Sequence, residues 1–386
     1  MKRATNLWLS IFAIGVTVTL TAAPASAQQI EGQVLGAGAP IANARVTLFA
    51  ATSDAPAQLS QTQSGPDGHF TLPSTRVPGG EVILYLTATG GEPAANRGSG
   101  NNPNIALLAV LGPNPPAKLI IKGNALSLKI AAGNVINFVD FQTGGWGAAI
   151  QDPLNSGQTP TMANFATLAD VLSGCVTRVT ADACDKLFAA ATPPTSAIPS
   201  DTLVAAERIA RYPWYKPERL FALLGEFYPV PKGKNLRPVP FMPYLNYAPS
   251  AWVLPLKFDG GGYRAGGKAM FDSEGNLWVG DNFTVGWQGT DALWQGHATK
   301  FDPNGKPLSP ITAGFTGGGM EGGTFGTAVD AKDNAWFTNY GSKAIAVFDK
   351  YGKPLTPPEG ITFGGRLGLI QGHHRHSRRR RLGPRG

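Results

Sequence analysis

Two cysteines and five histidines in 386 residues leave little material for metal or nucleophile chemistry. Three of those histidines fall within the last fifteen residues, so only His69 and His297 stand elsewhere. No Ser-His-Asp set, H-E-x-x-H run or paired-carboxylate motif is present, which removes the hydrolases and zinc enzymes that a sequence can announce. Charge is also sparse, at 15% of residues, and the formal excess of +8 is misleading. Lys2, Arg3 and six arginines after Gln371 make up that excess, and the remainder carries 25 basic and 25 acidic side chains. Bulk charge therefore gives no argument for nucleic acid or for an anionic membrane.

Glycine and proline are abundant, at 49 and 32 residues, which favours strands and turns over long helices. The start, MKRATNLWLSIFAIGVTVTLTAAPASA, has two positive charges, an apolar run, Pro24 and a small-x-small site. It reads as a secretory signal peptide over 1–27, cut between Ala27 and Gln28. An uncleaved anchor is the alternative, but the apolar run is shorter than the roughly 20 residues a span requires. No later segment could cross a membrane, so the expectation is a secreted or periplasmic protein with no span after signal removal. In that compartment Cys175 and Cys184, which enclose eight residues, read as a structural disulfide in preference to a free or metal-bound pair.

Three regions follow the signal. Over 28–91, Ile30, Gly32 and Val34, then Ala44, Val46 and Leu48, alternate on one face about a Gly-Ala-Gly-Ala-Pro turn, and SGPDGHFTLP and EVILYLTATG add further strands. This predicts a small antiparallel sandwich. The order G-x-V, P-I-A-N-A-R-V-T-L, G-P-D-G-H-F-T-L resembles the carboxypeptidase regulatory-like modules of exported bacterial proteins, which have Ig-like or transthyretin-like folds. The resemblance implies a non-catalytic accessory domain, with His69 a solvated turn residue.

Over 92–248 helical spacing dominates. Phe165, Leu168, Leu172 and Cys175 share a face; Ser200 or Asp201 caps a helix through DTLVAAERIARY, and Pro217 opens another. The region resembles a disulfide-containing helical segment that precedes propeller repeats in large exported bacterial proteins, and reads as a connector without activity of its own.

Over 249–371 the informative signal is repetition. ATKFDPNGKPLSP (298–310) matches IAVFDKYGKPLTP (345–357) at seven of thirteen positions with an offset of 47, and Ser309 against Thr356 is conservative. FDSEGNLWVGDN, centred on Trp278, matches VDAKDNAWFTNY, centred on Trp336, with an offset of 58. The eleven-residue difference places one inserted loop around GWQGTDALWQG. Glycine-rich starts recur at Phe258, Phe315 and Phe363. Four short strands per repeat predict propeller blades.

The recurring D-x-x-G-N-x-W-V-x-D/N resembles the NHL-type and streptogramin-lyase-like (virginiamycin B lyase-like) propellers. Asp272 to Trp278 matches it closely, and Asp330 to Trp336 departs by Asp333 in place of glycine. The fold class expected is thus mainly β with a helical middle segment: a small β-sandwich, an α-helical connector and an incomplete β-propeller. Asp272, Trp278, Asp330 and Trp336 are read as repeat markers, the tryptophans as packing between blades. Catalytic, cofactor and metal residues are all expected to be absent. GGGYRAGG and GGGMEGG lack the G-K-[ST] ending of a phosphate loop and read as turns.

Residues 372–386, GHHRHSRRRRLGPRG, break the period where a third Trp strand should fall near Leu382. Shifted by one nucleotide, codons for this stretch permit G-I-I-V-T-A-E-G-D-V-W-A-L-E, with the tryptophan at that place. The tail thus reads as an out-of-frame end of a truncated propeller. An arginine-rich nucleic-acid arm and a histidine metal cluster are the alternatives weighed. The function expected is an exported, non-catalytic binding or scaffold protein with an unknown extracellular or periplasmic ligand and no nucleic acid. The second reading is a streptogramin-lyase-like or lactonase-like propeller enzyme, a carbon-oxygen lyase in the first case, whose active site lies in missing blades. The lyase resemblance implies His and Glu chemistry with magnesium, for which His297 and Glu321 are the candidates by residue type.

Overall fold

The computed structural model describes residues 30–51, 55–73, 83–113, 132–140, 143–282 and 296–362, with backbone alone for 14–17. The cleavage residues Ala27 and Gln28 and the tail 372–386 lie outside the described residues. The chain is mainly β, with four antiparallel sheets among the described residues, and divides into two compact units at Lys257/Phe258.

In the first unit, β1 (Ile14–Thr17) pairs with β2 (Ile30–Gly36), which turns through Ala37 and Gly38, both at positive φ, into β3 (Ala39–Ala42). Such a two-residue turn suits the strand twist. The chain continues through β4 (Arg45–Ala51), β5 (Ala57–Gln63), β6 (His69–Leu72), β7 (Ile83–Thr89), β8 (Glu92–Pro93) and β9 (Ala106–Pro113). One sheet runs β1-β2-β3-β8 with β6 also on β2, and the other runs β5-β4-β7-β9. Val34, Ala44, Val46 and Leu48 enter one buried core with Ile41, Leu72 and Leu86, as their alternation requires. His69 begins β6 and is exposed.

The sandwich does not end at Gly91. Ala106–Pro113, expected within the helical region, pairs with β7 from Thr89↔Ala106 to Ile83↔Pro113 and buries Leu107 and Ala109. An apolar run of this length is ambiguous between helix and strand, and the open edge of β7 decides it.

After two one-turn helices, Ala148–Gln151 and Pro153–Ser156, the longer helices among the described residues are α1 (Thr161–Val176), α2 (Ala183–Ala190), α3 (Thr202–Arg211) and α4 (Pro217–Phe227). The Asp201 carboxylate caps α3 by accepting from Val204 N at 2.9 Å, and Pro217 occupies the first turn of α4. Cys175, near the end of α1, and Cys184, at the start of α2, form a disulfide in the core of this segment. These helices are stitched to the sandwich: Asn102 Nδ2 donates to the Cys175 and Val176 carbonyls, and Thr202 Oγ1 bonds both backbone groups of Ala106. Val176 belongs to the sandwich core. Residues 249–257, expected to open the repeats, instead pack with the helices, where Trp252 is buried, its backbone N–H donates to Pro213 O and its indole N–H to Pro217 O.

Among its described residues the second unit holds two sheets. The first is β10 (Gly266–Phe271), β11 (Leu277–Asp281) and β12 (Ala298–Phe301); the second is β13 (Thr324–Val329), β14 (Ala335–Asn339), β15 (Ala344–Phe348) and β16 (Ile361–Thr362). Their ladders repeat. Trp278 lies opposite Met270 and Lys300, and Trp336 opposite Ala328 and Val347, so the offsets of 58 and 47 recur as strand registers. Even the bulge recurs, between Gly266 and Ala269 and between Thr324 and Thr327. The eleven-residue insertion therefore falls between β11 and β12; its centre, 283–295, lies outside the described residues.

Candidate binding face

Each repeat is built on an aspartate that organises its own turn. Asp272 accepts from the backbone N–H groups of Glu274 and Asn276, from Asn276 Nδ2 and from Trp278 Nε1. Asp330 repeats this set with Lys332, Asn334 and Trp336. The Trp336 indole, Asn334 and the backbone donors draw the Asp330 carboxyl down to about 2. Burial pushes the Asp272 carboxyl up, but Asn276 and Lys300 more than reverse it and hold it below the ordinary range.

The hairpins repeat as closely. Asp302 accepts from Asn304 N and Lys306 N, as Asp349 does from Tyr351 N and Lys353 N. Ser309 Oγ accepts from Lys300 N and donates to Gly261 O; Thr356 Oγ1 does the same between Val347 N and Gly318 O. That shared hydroxyl explains the Ser/Thr match. Gly305 and Gly352, both at φ 86°, sit beneath the rings of Phe258 and Phe315, where a side chain would collide. The glycine-rich starts hold three consecutive positive φ angles each, at 260–262 and 317–319, as turns require.

The repeats differ at Lys300. Lys300 is buried: its Nζ lies 3.0 Å from Asp272 Oδ2, donates to Lys350 O at 2.8 Å and sits 4.6 Å from the centre of the Trp278 ring. It joins the Asp-Trp motif of the first sheet to the hairpin of the second. Val347 occupies the corresponding place in the second sheet. Trp278 is fully buried, with the rings of Phe315 and Phe337 at 5.6 and 6.2 Å.

Trp336 departs from the expectation of packing between blades: it is 37% exposed. No further sheet covers it among the described residues. With Thr338, Ile345, Ala328 and Lys268 it lines an open groove of about 440 Å³.

The enzyme candidates lie near each other along the backbone, since a Cβ on Gly296, beside His297, would meet Glu321 Cα at 3.2 Å, but their side chains are engaged differently. His297 is buried, and its Nε2 lies 2.6 Å from Gly262 O and 3.0 Å from Asp281 Oδ2. Asp281 also accepts from Arg264 N, Ala265 N and Thr299 Oγ1. Burial raises its carboxyl, and His297 with the backbone donors outweighs that and lowers it. The cluster fastens the glycine-rich loop to β11. Glu321 is exposed, and its backbone carbonyl accepts from Gly341 N. Among the described residues no three His, Cys, Asp or Glu side chains group as metal ligands would.

No family model matches the chain, and no curated protein matches it. Among solved structures, a crystal structure of a 9R-lipoxygenase from Cyanothece PCC8801 is 9% identical over 78% of this chain and 43% of that one, with a TM-score of 0.15. At that score the likeness carries no argument, and the chain spans under half of that protein's length. Among the described residues no helix is long and apolar enough to cross a membrane.

Sequence reasoning missed Lys300, Asp281 and Ser273. Lys300 is a mismatch between the aligned hairpins, and a mismatch against Val347 was its only signal. Asp281 aligns with Asn339, a polar pair ending equivalent strands, which was visible without its meaning.

Proposed function

We propose that the chain is an exported, non-catalytic binding or scaffold protein, in which a sandwich and a disulfide-clipped helical segment carry propeller-type repeats that face an extracellular or periplasmic ligand. The observation that carries this reading is the shared register and hydrogen bonding of the two sheets, stacked so that Trp278 is sealed between them. Sheets of three or four antiparallel strands stacked face to face in sequence order are the construction of a propeller. The polar groups of the motif support a binding role over a catalytic one, because Asp272 and Asp330 are engaged by their own turns and His297 by Asp281 and Gly262. The arginine-rich end, on this reading, is a further repeat translated out of frame, which the nucleotide sequence of the locus past codon 372 tests.

Function is tested on the secreted chain. N-terminal sequencing should begin at Gln28, and incubation with lyase and lactone substrates, with and without Mg²⁺, should give no turnover. A magnesium-dependent turnover lost on Glu321→Gln or His297→Gln would overturn the reading in favour of an enzyme.

A further inference from the structure

The sandwich carries an arginine that its own fold leaves unpaired. Arg45 opens β4, the strand between β5 and β7, and the alternation that sends Val46 and Leu48 into the core turns Arg45 to the outer face, where it is exposed. Its cross-strand neighbours are both neutral: Gln63 of β5 and Thr89 of β7 stand directly opposite it. A carboxylate at either place would have stabilised the charge. Among the described residues Arg45 has no hydrogen bond or ion pair, although its guanidinium presents a fork of N–H donors.

The loops at this end of the sheet close the row into a cavity. Asn43, Gly90 and Asn101 join Arg45, Gln63 and Thr89 around an open space of about 340 Å³, and no acidic residue lines it. Small-molecule sites start at about 300 Å³. Two of the amides are oriented by backbone groups. Asn101 Oδ1 accepts from Gly91 N at 2.6 Å, and Arg178 Nη2 donates to Asn101 O at 2.7 Å, so Asn101 Nδ2 is left as a donor without a partner among the described residues. Gln63 Nε2 donates to Asn43 O at 3.1 Å, which leaves Gln63 Oε1 as an acceptor. Gly90 lies at φ 67°, and a Cβ there would meet Asn101 Oδ1 at 2.9 Å, so the close approach of the two loops requires glycine.

The chemistry of this set selects its ligand. A guanidinium fork with no acid beside it matches a planar carboxylate, which it can hold through two parallel hydrogen bonds. The Asn101 amide adds a neutral donor, while the Thr89 hydroxyl and Gln63 Oε1 suit hydroxyl groups, which both donate and accept. We propose that this cavity binds a small hydroxylated carboxylate of the sugar-acid type, with Arg45 holding the carboxylate and Thr89 and Gln63 the hydroxyl groups. The inference goes beyond the proposed function, because it uses the sandwich and not the repeats, and either can fail while the other stands.

The test is isothermal titration calorimetry of the full chain with glucuronate, glucose and inorganic phosphate. Glucuronate is expected to bind one to one, phosphate more weakly and glucose not measurably. Arg45→Gln should weaken glucuronate binding about ten- to hundredfold, the loss of a charge-assisted pair, and Thr89→Val about three- to tenfold, each with far-ultraviolet circular dichroism unchanged. Arg45→Lys, which keeps the charge but not the fork, should fall between the wild type and Arg45→Gln. No saturable binding of glucuronate up to about 10 mM overturns the proposal, as does an affinity that Arg45→Gln leaves unchanged. Phosphate bound as tightly as glucuronate would show a plain anion site, and glucose bound as tightly would show that the carboxylate is not what is recognised; either result overturns the sugar acid as the ligand. Should Arg45→Gln lose its circular dichroism signal, Arg45→Lys is judged in its place, and an affinity equal to that of the wild type overturns the bidentate role of Arg45.

Discussion

Ser273 and Asp333 fasten the two Asp-Trp turns to each other: Ser273 N and Oγ donate to the two carboxylate oxygens of Asp333 at 2.8 and 2.6 Å. Asp333 stands where the first repeat has Gly275, and both are left-handed, at φ 63° and 80°. The departure from the glycine of the motif is therefore a contact between repeats. Asp333→Ala loses both bonds and keeps the left-handed backbone, at a cost of about 1–2 kcal/mol in urea unfolding of this unit. Asp333→Gly loses the bonds but relaxes the backbone, so it costs less. The opposite order would remove the contact as the reason for the aspartate.

Lys300 and Asp272 form a buried ion pair, with side chains 5% and 2% exposed. Lys300→Val, which copies the second repeat, leaves the Asp272 carboxylate buried without its cation and Lys350 O without its donor. A loss of about 3 kcal/mol is expected. Adding Asp272→Asn should restore more than half of it, and a double variant as unstable as the sum of the singles would show the two residues to be uncoupled.

Asp170, buried in α1, accepts from Phe241 N at 2.9 Å through Oδ1, while Oδ2 is buried without a hydrogen-bond partner. Burial raises its carboxyl from the ordinary 3.8 to about 8, and the Phe241 bond only partly opposes this. Tyr228, whose hydroxyl donates to Asp170 O, is itself raised by burial and by the Asp170 charge. The folded chain thus keeps a proton that the unfolded chain has lost between about pH 4 and pH 8. Stability is full below about pH 4 and falls as pH rises through about 8, by at most about 1.4 kcal/mol per unit from this group. Asp170→Asn, which retains an acceptor for Phe241 N, should flatten that slope in denaturation curves between pH 5 and 9. An unchanged slope would mean that Asp170 is ionised in the fold.

The Cys175–Cys184 bridge closes a short loop between α1 and α2. Restricting that loop in the unfolded chain contributes about 2–3 kcal/mol. Cys175→Ser with Cys184→Ser should lower the midpoint of the first unit accordingly and leave the second unit's transition unmoved. A shift in the second transition would mean that the two units unfold together.

Much of the fold is legible because it is local. Alternation in Val34 and Val46, the helical face of α1, the Asp201 cap and Pro217 each act through neighbours in sequence. The repeat offsets of 58 and 47 became strand registers because a ladder conserves spacing. β9 was not legible, since Ile105 to Leu111 suits helix or strand until β7 offers an edge. Lys300 was not legible either: a lysine among sheet residues reads as exposed, and only the stacked second sheet supplies the carbonyl and the excluded water that bury it.

By itself the sequence determined the local units of this protein: two aspartate-organised turns, two Phe-over-Gly hairpins, the pair of cysteines and the helix caps. Those are set by spacing and by side chains that bond their own backbone. The tertiary structure alone decided which copies are covered. Trp278 and Trp336 carry the same motif and the same indole bond, but the free energy of burying an indole depends on the surface brought against it. One has a sheet on its face, and the other has an open groove.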